Sequence, residues 1–216
     1  MNVLIISGGR VDREFAKEYL AGRHYQRIIA ADAGLSHCQD IGLIPTDILG
    51  DFDSLSKEDI LEGYRKQGIP IHTYPARKDY TDTHLAILLA EDIKADHITI
   101  LGATGSRYDH TLANIGLLSH LADQGILGLI IDEHNQMEIL AGPDEKEYKK
   151  DKKLPFFSLI AWGGKAEGIT LTGFSYPLKN ANLTPDISLG ISNEIINPTA
   201  TVSLTKGHLL IIRSKD

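Results

Sequence analysis

Short apolar runs alternate with stretches of helical spacing along the first 142 residues. "NVLIISGG" (2–9) is a continuous apolar run closed by two glycines, the pattern of a strand buried on both faces. "REFAKEYLAG" (13–22) places Phe15, Tyr19 and Leu20 on one side of a helix, with Gly22 as its stop. "RIIAADAG" (27–34) reads as a second strand ending at Asp32, and "TDILGDFD" (46–53) as a third. "SKEDILEGYRKQG" (56–68) predicts a helix capped by Ser56, "IPIHTYP" (69–75) an extended segment, and "TDTHLAILLAEDI" (81–93) a helix. "HITILGATG" (97–105) is a strand entering a glycine loop, followed by a long helix over 109–125 and by strands in "GLIIDE" and "QMEILAG". This alternation predicts an α/β N-terminal domain with a mostly parallel sheet, residues 1–142. Ligands of such sheets sit at the carboxyl ends of the strands.

The pattern then changes. "PDEKEYKKDKK" (143–153) is charged and shows no apolar period. Beyond it, "PFFSLIAW", "GITLTGFSYPL", "LGISNEIIN", "ATVSLTK" and "HLLIIR" are short strand-like runs separated by Gly, Pro and Asn. They predict a small all-β C-terminal sandwich domain within 143–216.

Composition narrows the function classes. The net charge of −7, with no basic run beyond "KKDKK", argues against nucleic acid as a partner. Cys38 is the sole cysteine, so no intrachain disulfide forms and a reducing cytoplasm is the expected setting. The apolar start lacks a basic flank and is too short to span a bilayer, so no membrane association is expected.

The candidate chemistry lies at the strand ends. Asp51 and Asp53 flank Phe52, and in an extended chain residues i and i+2 point to one side. Both carboxylates would then face one spot while Phe52 faces the core. Two hard oxygen donors suit Mg²⁺, which takes one or two carboxylates and fills its remaining positions with water or phosphate. Taken alone, the same D-x-D fits a solvated turn. In "RKDYTDTH" (77–84), Asp79 and Asp82 stand three apart at a helix start and could share a face, beside Arg77 and Lys78. In "GATGSRYDH" (102–110), Gly102 and Gly105 allow close approach of the backbone to a ligand, and Arg107 offers a planar fork for phosphate oxygens. Asp109 reads equally as a helix cap, and His110 as structural. Neither the P-loop nor the dinucleotide fingerprint is present. So many acids on one rim would repel each other without a cation, and a divalent metal carrying a polyphosphate meets that need.

The motifs "ADAG", "PTDILGDFDSL", "KDYTDTHLAI" and "GATGSRYDHTLANIGLL", with a late "GISNE" and "GHLLII", occur in that order from about residue 28 onward. This series resembles thiamine pyrophosphokinases (thiamine diphosphokinases). The resemblance implies a homodimer with active sites at the subunit interface, and Mg²⁺-dependent transfer of pyrophosphate from ATP to the thiamine hydroxyl, giving thiamine diphosphate and AMP. By motif match it implies Asp51, Asp53 and Asp79 as metal ligands, with Asp82 and Arg107 completing the catalytic set. It implies Asp32, Gly34, Lys78, Thr104, Gly105, Arg107 and Asp109 at the nucleotide, and Ser192, Asn193 and Tyr176 at thiamine. Ala33 stands where the family often has a second glycine. Among the aromatics, Tyr176, Phe174 and Trp162 all remain candidates to meet the thiazolium. The hydroxyl proton would pass to a carboxylate, Asp82 or Asp79. A nucleotide-sugar transferase and a non-catalytic nucleotide or thiamine sensor are the rival classes.

Overall fold

A computed structural model describes residues 1–52, 58–75, 77 and 79–216, with Glu58 described by its backbone only. Its contacts divide the chain into two compact units, Met1–Leu117 with Ile126–Glu133, and Leu118–Gly125 with His134–Asp216.

The first unit is built from β1 (Asn2–Ile6), α1 (Arg13–Leu20), β2 (Arg27–Ala31), α2 (Gly34–Ile41), β3 (Asp47–Gly50), α3 (Glu58–Lys66), β4 (Ile71–Thr73), α4 (Asp82–Asp92), β5 (His97–Leu101), the N-terminal turns of α5 (Tyr108–Asp123) and β6 (Leu127–Ile131). All six strands are parallel, in the order β4-β3-β2-β1-β5-β6. Val3 to Ile6 and Ile98 to Leu101 are buried at consecutive positions, which requires cover on both sheet faces. Leu4, Ile6, Ala30, Ile48 and Leu101 form one core with Leu35 and Cys38 of α2. That helix is absent from the sequence reading. Its "GLSHCQDI" has few strong helix formers and no side-chain cap, so only the Leu35/Cys38 spacing marks it.

The strand order reverses at β1. The chain runs outward from β1 through β2, β3 and β4, then returns to place β5 on the other side of β1. In an open α/β sheet, this reversal opens a crevice beyond the carboxyl ends of the two central strands.

The second unit is antiparallel: β7 (Asn135–Ala141), β8 (Asp144–Lys149), β9 (Phe156–Thr172), β10 (Leu178–Leu183), β11 (Asn193–Glu194), β12 (Thr199–Leu204) and β13 (Lys206–Ser214). The runs "PFFSLIAW" and "GITLT" are one strand. The first half of β9 pairs with β13 and β11, and its second half with β10 and β12. Gly163 and Gly168 take φ of +68° and +69° within it, so glycine bends the strand here and does not end it. The charged stretch after Gly142 is also a strand. β8 lies at the end of the strand order and, among the described residues, pairs with β12 alone, burying only Tyr148. An edge strand tolerates charge on both sides, which hides its period. Phe157 packs edge-on against Tyr148 and Phe174, each with ring centroids 4.9 Å apart, at the centre of this core. Among the described residues, no helix is long and apolar enough to cross a membrane.

Candidate active site

Two glycine loops meet at the strand reversal. Past β1, the Ser7 N–H donates to the Leu101 carbonyl, Gly9 N–H to Gly102 and Arg10 N–H to Thr104, each at 2.8 Å. A Cβ on Gly9 would overlap the carbonyl oxygens of Gly102 and Thr104, and one on Gly102 would overlap that of Ser7. Gly102 also holds φ +71°, the left-handed region that favours glycine. His37 of α2 closes the first loop from outside, its Nε2 lying 2.8 Å from the Gly9 carbonyl. A carbonyl only accepts, so Nε2 carries the proton.

These loops border a cleft of about 580 Å³, lined by Gly8–Arg10, Asp32, Asp82, Thr83 and Gly102–Arg107, with His110, Thr111 and Asn114 along α5. Its walls are held by side chains. The hydroxyls of Ser7 and Thr83 share a buried 2.9 Å hydrogen bond. Asn114, itself buried, donates from Nδ2 to the Ala103 carbonyl at 2.8 Å. The Thr104 hydroxyl donates to Asp132 Oδ2 at 2.9 Å. α4 starts at Asp82 because the Thr81 hydroxyl accepts from the His84 N–H, which leaves Asp82 in the first turn where the helix dipole favours a carboxylate.

Charge at the cleft mouth is mixed. Arg107 donates to both oxygens of Asp109, at 2.6 and 3.2 Å, and both residues are exposed. The Arg107 bond and the His110 N–H hold the Asp109 carboxyl below its usual range, and the Asp109 carboxylate in turn raises Arg107. Arg10 pairs with Glu133.

Of the residues expected at the nucleotide, Asp32, Thr104, Gly105 and Arg107 line the cleft together with Asp82. Gly34 and Asp109 do not line it. Gly34 instead lets α2 approach β1 so closely that a Cβ would overlap the Ile6 carbonyl. Asp51 and Asp79 are also outside the lining. Asp53, Lys78 and Ser56 lie outside the described residues. The i, i+2 argument for Asp51 and Asp53 assumes an extended chain, and Phe52 is not extended, at φ +49°. Phe52 does pack against the core, as expected. Asp79 and Asp82 do not share a helical face, since α4 begins only at Asp82. Among the described residues, no three His, Cys, Asp or Glu side chains converge as a metal site. Gly8 and Gly9, at the strand end where functional groups are expected, line the cleft, and so do Arg10, Thr83 and Asn114, which the sequence did not single out. The paired glycines at a strand end were the available signal.

In the second unit, Ser192 takes φ +55° and its N–H donates to the Ser158 hydroxyl at 3.0 Å. Asn193 is 4% exposed and turns its amide onto the Tyr176 backbone. Phe174 is a core residue at 3% exposure, whereas Tyr176 presents its ring to solvent at 71%.

Comparison with known proteins gives consistent findings. Residues 18–128 match the thiamin pyrophosphokinase catalytic domain, and 146–209 match the thiamin pyrophosphokinase vitamin B1 binding domain. The chain is 38% identical to a thiamine pyrophosphokinase of Bacillus subtilis over 188 residues, 87% of each chain. The crystal structure of the Bacillus subtilis thiamine pyrophosphokinase superposes with a TM-score of 0.88 over the whole of both chains, at 32% identity. That of a thiamin pyrophosphokinase from Geobacillus thermodenitrificans gives 0.85 at 31% identity, covering 100% of this chain and 98% of the other.

Proposed function

The chain belongs to the thiamine pyrophosphokinase family, and on that premise we propose that it transfers the terminal pyrophosphoryl group of ATP to the hydroxyl of thiamine. The observation that carries this reading is the cleft at the β1/β5 reversal, with two interlocked glycine loops and Arg107 at its mouth. Close backbone approach and a guanidinium fork are what a polyphosphate requires.

In the reaction, the thiamine hydroxyl oxygen bonds to the β-phosphorus of ATP. The bond from that phosphorus to the α,β-bridging oxygen breaks, and AMP leaves with the oxygen. The hydroxyl proton passes to a carboxylate, for which Asp82 in the cleft and Asp79 just before α4 are the candidates. Asp109 orients the Arg107 guanidinium before the ligand arrives, and Arg107 then exchanges that contact for the phosphates and offsets their charge. Asp32, Thr104, Gly105 and Lys78 complete the nucleotide side, with Gly34 acting from behind by letting α2 pack against β1. Asp51, Asp53 and Asp79 would hold Mg²⁺; their carboxylates fit its preference for hard oxygen donors, and the ion would neutralise developing phosphate charge. Catalysis is then chiefly positioning and charge compensation.

Thiamine is proposed to meet Ser192, Asn193 and Tyr176 of the second unit. What supports Tyr176 over Phe174 is exposure: a buried ring has no face to offer a cation. The exposed Ile187, Leu189, Ile191 and Ile196 support a surface covered by a second copy of the chain, so that the protein works as a homodimer. A cytoplasmic setting agrees with the single buried thiol.

Incubation with ATP, Mg²⁺ and thiamine, followed by mass spectrometry, tests the reading. Thiamine diphosphate with AMP is the expected outcome. ADP as co-product would mean single phosphoryl transfer, and binding without product would mean a sensor; either overturns it. Near-full activity of Asp51→Asn at saturating Mg²⁺ would remove Asp51 from the metal set.

A further inference from the structure

We propose that Asp132 is a positioning residue for the nucleotide loop, acting through Thr104; this rests on the cleft being the ATP site. Asp132 directly follows β6, whose Ile131 pairs with Leu101, so the carboxylate stands beside the start of the Gly102–Arg107 loop. It does not line the cleft, whereas Thr104 does.

The loop needs holding. Gly102 reverses the chain at φ +71°, and the residues that follow belong to no strand or helix until α5 begins at Tyr108. The Gly102 carbonyl accepts from Gly9, the Ala103 carbonyl from Asn114 and the Thr104 carbonyl from Arg10. These bonds fix the backbone and leave the Thr104 side chain to be set separately. Its hydroxyl donates to Asp132 Oδ2 at 2.9 Å. Because Thr104 is β-branched, fixing its hydroxyl fixes its rotamer, and with it the methyl group and the wall presented to the ligand. The Asp132 carboxylate stays outside the lining and is directed at a hydroxyl, so it adds no negative charge to the wall beyond that of Asp32 and Asp82.

The role separates from direct participation by charge. Asparagine at 132 keeps an oxygen acceptor for Thr104 but cannot take a proton. Asp132→Asn should keep the KM for ATP within about twofold, while Asp132→Ala and Thr104→Val should each raise it about tenfold with kcat little changed. The Thr104→Val/Asp132→Ala double variant should be no worse than either single one, since both remove the same bond. Equal damage from Asn and Ala, an unchanged KM in Asp132→Ala, or additive losses in the double variant would each overturn the assignment. Should Asp132→Ala fail to fold, Asp132→Asn against Thr104→Val still decides. The reading on which this rests is tested apart, by product formation in the unaltered enzyme. If that enzyme formed no thiamine diphosphate, the same ranking measured as the Kd of a non-hydrolysable ATP analogue would still judge Asp132.

Discussion

Asn193 grips Tyr176 with both ends of its side-chain amide: Oδ1 accepts the Tyr176 N–H at 3.0 Å, and Nδ2 donates to the Tyr176 carbonyl at 2.8 Å. The same Oδ1 accepts the Glu194 N–H at 2.9 Å. A buried amide thus does what a strand would do, and it sets where the exposed Tyr176 ring stands. Asn193→Ala should destabilise the protein by about 1–3 kcal/mol, because it removes a buried side chain and leaves the part-buried Tyr176 N–H and carbonyl without their partner. It should also raise the KM for thiamine. Tyr176→Ala, at an exposed position, should raise that KM while leaving the thermal midpoint unchanged. Parallel thermal melts and thiamine titrations check both, and a destabilised Tyr176→Ala would refute the division of roles.

Arg107 and Asp109 form an exposed pair, so its removal should leave stability unmoved. The effect belongs to binding. Arg107→Ala should raise the KM for ATP by about one to two orders of magnitude, the range of a lost charge-assisted bond to phosphate. Arg107→Lys should recover only part of this, since an ammonium lacks the fork. Steady-state kinetics at varied ATP measure it, and full recovery by lysine would show that point charge alone matters.

Much of the first unit was legible because its strands are buried on both faces and read as continuous apolar runs, as in "NVLII" and "HITIL". The site was legible in part for the same reason: Asp32, Thr104, Gly105 and Arg107 follow such runs directly. What local pattern cannot carry is strand order. Only the placement of β5 beside β1 brings Gly8–Arg10 against Gly102–Thr104, and that depends on pairings nearly a hundred residues apart in the chain. The extended path expected through Phe52 differs at one dihedral, since Phe52 gives no sequence sign of its left-handed backbone. β8 was hidden because an edge strand lacks the two-sided burial that produces a period.

Asp47 is an acid inside the α/β unit with a structural role. It is 1% exposed and accepts from Arg27 Nε at 2.8 Å and Nη2 at 2.5 Å, from the Thr46 hydroxyl at 2.8 Å, and lies 3.4 Å from His72 Nε2. Burial pushes its carboxyl up, but the bonds from Arg27, Thr46 and His72 outweigh that and hold it below the usual range. A depressed folded value means the stabilisation is full above the unfolded value, about 3.9, and is lost as pH falls through the folded one. Asp47→Ala should cost about 2–4 kcal/mol at neutral pH, at the lower end for a buried pair because Arg27 is partly solvated. The gap between the two proteins should narrow as pH falls below about 4. Urea melts at stepped pH measure this; a gap that widened on acidification would reverse the sign.

Glycines within helices separate into those that a methyl group would ruin and those that it would help. At Gly34, the first residue of α2, an added Cβ would overlap the Ile6 carbonyl at the end of β1. That atom belongs to a buried strand and cannot yield without moving the sheet. Gly34→Ala should therefore displace α2, costing about 1–3 kcal/mol or more by overpacking, and should disturb the neighbouring Asp32 turn and His37 contact at the cleft. Gly116, inside α5, meets nothing within 4 Å of its added Cβ. There alanine removes only unfolded-state freedom and should stabilise by about 0.5–1 kcal/mol. Both changes add the same atom to a helix, so opposite shifts in the thermal midpoint would isolate close packing as the cause. A tolerated Gly34→Ala would mean that α2 can move away from β1 without cost.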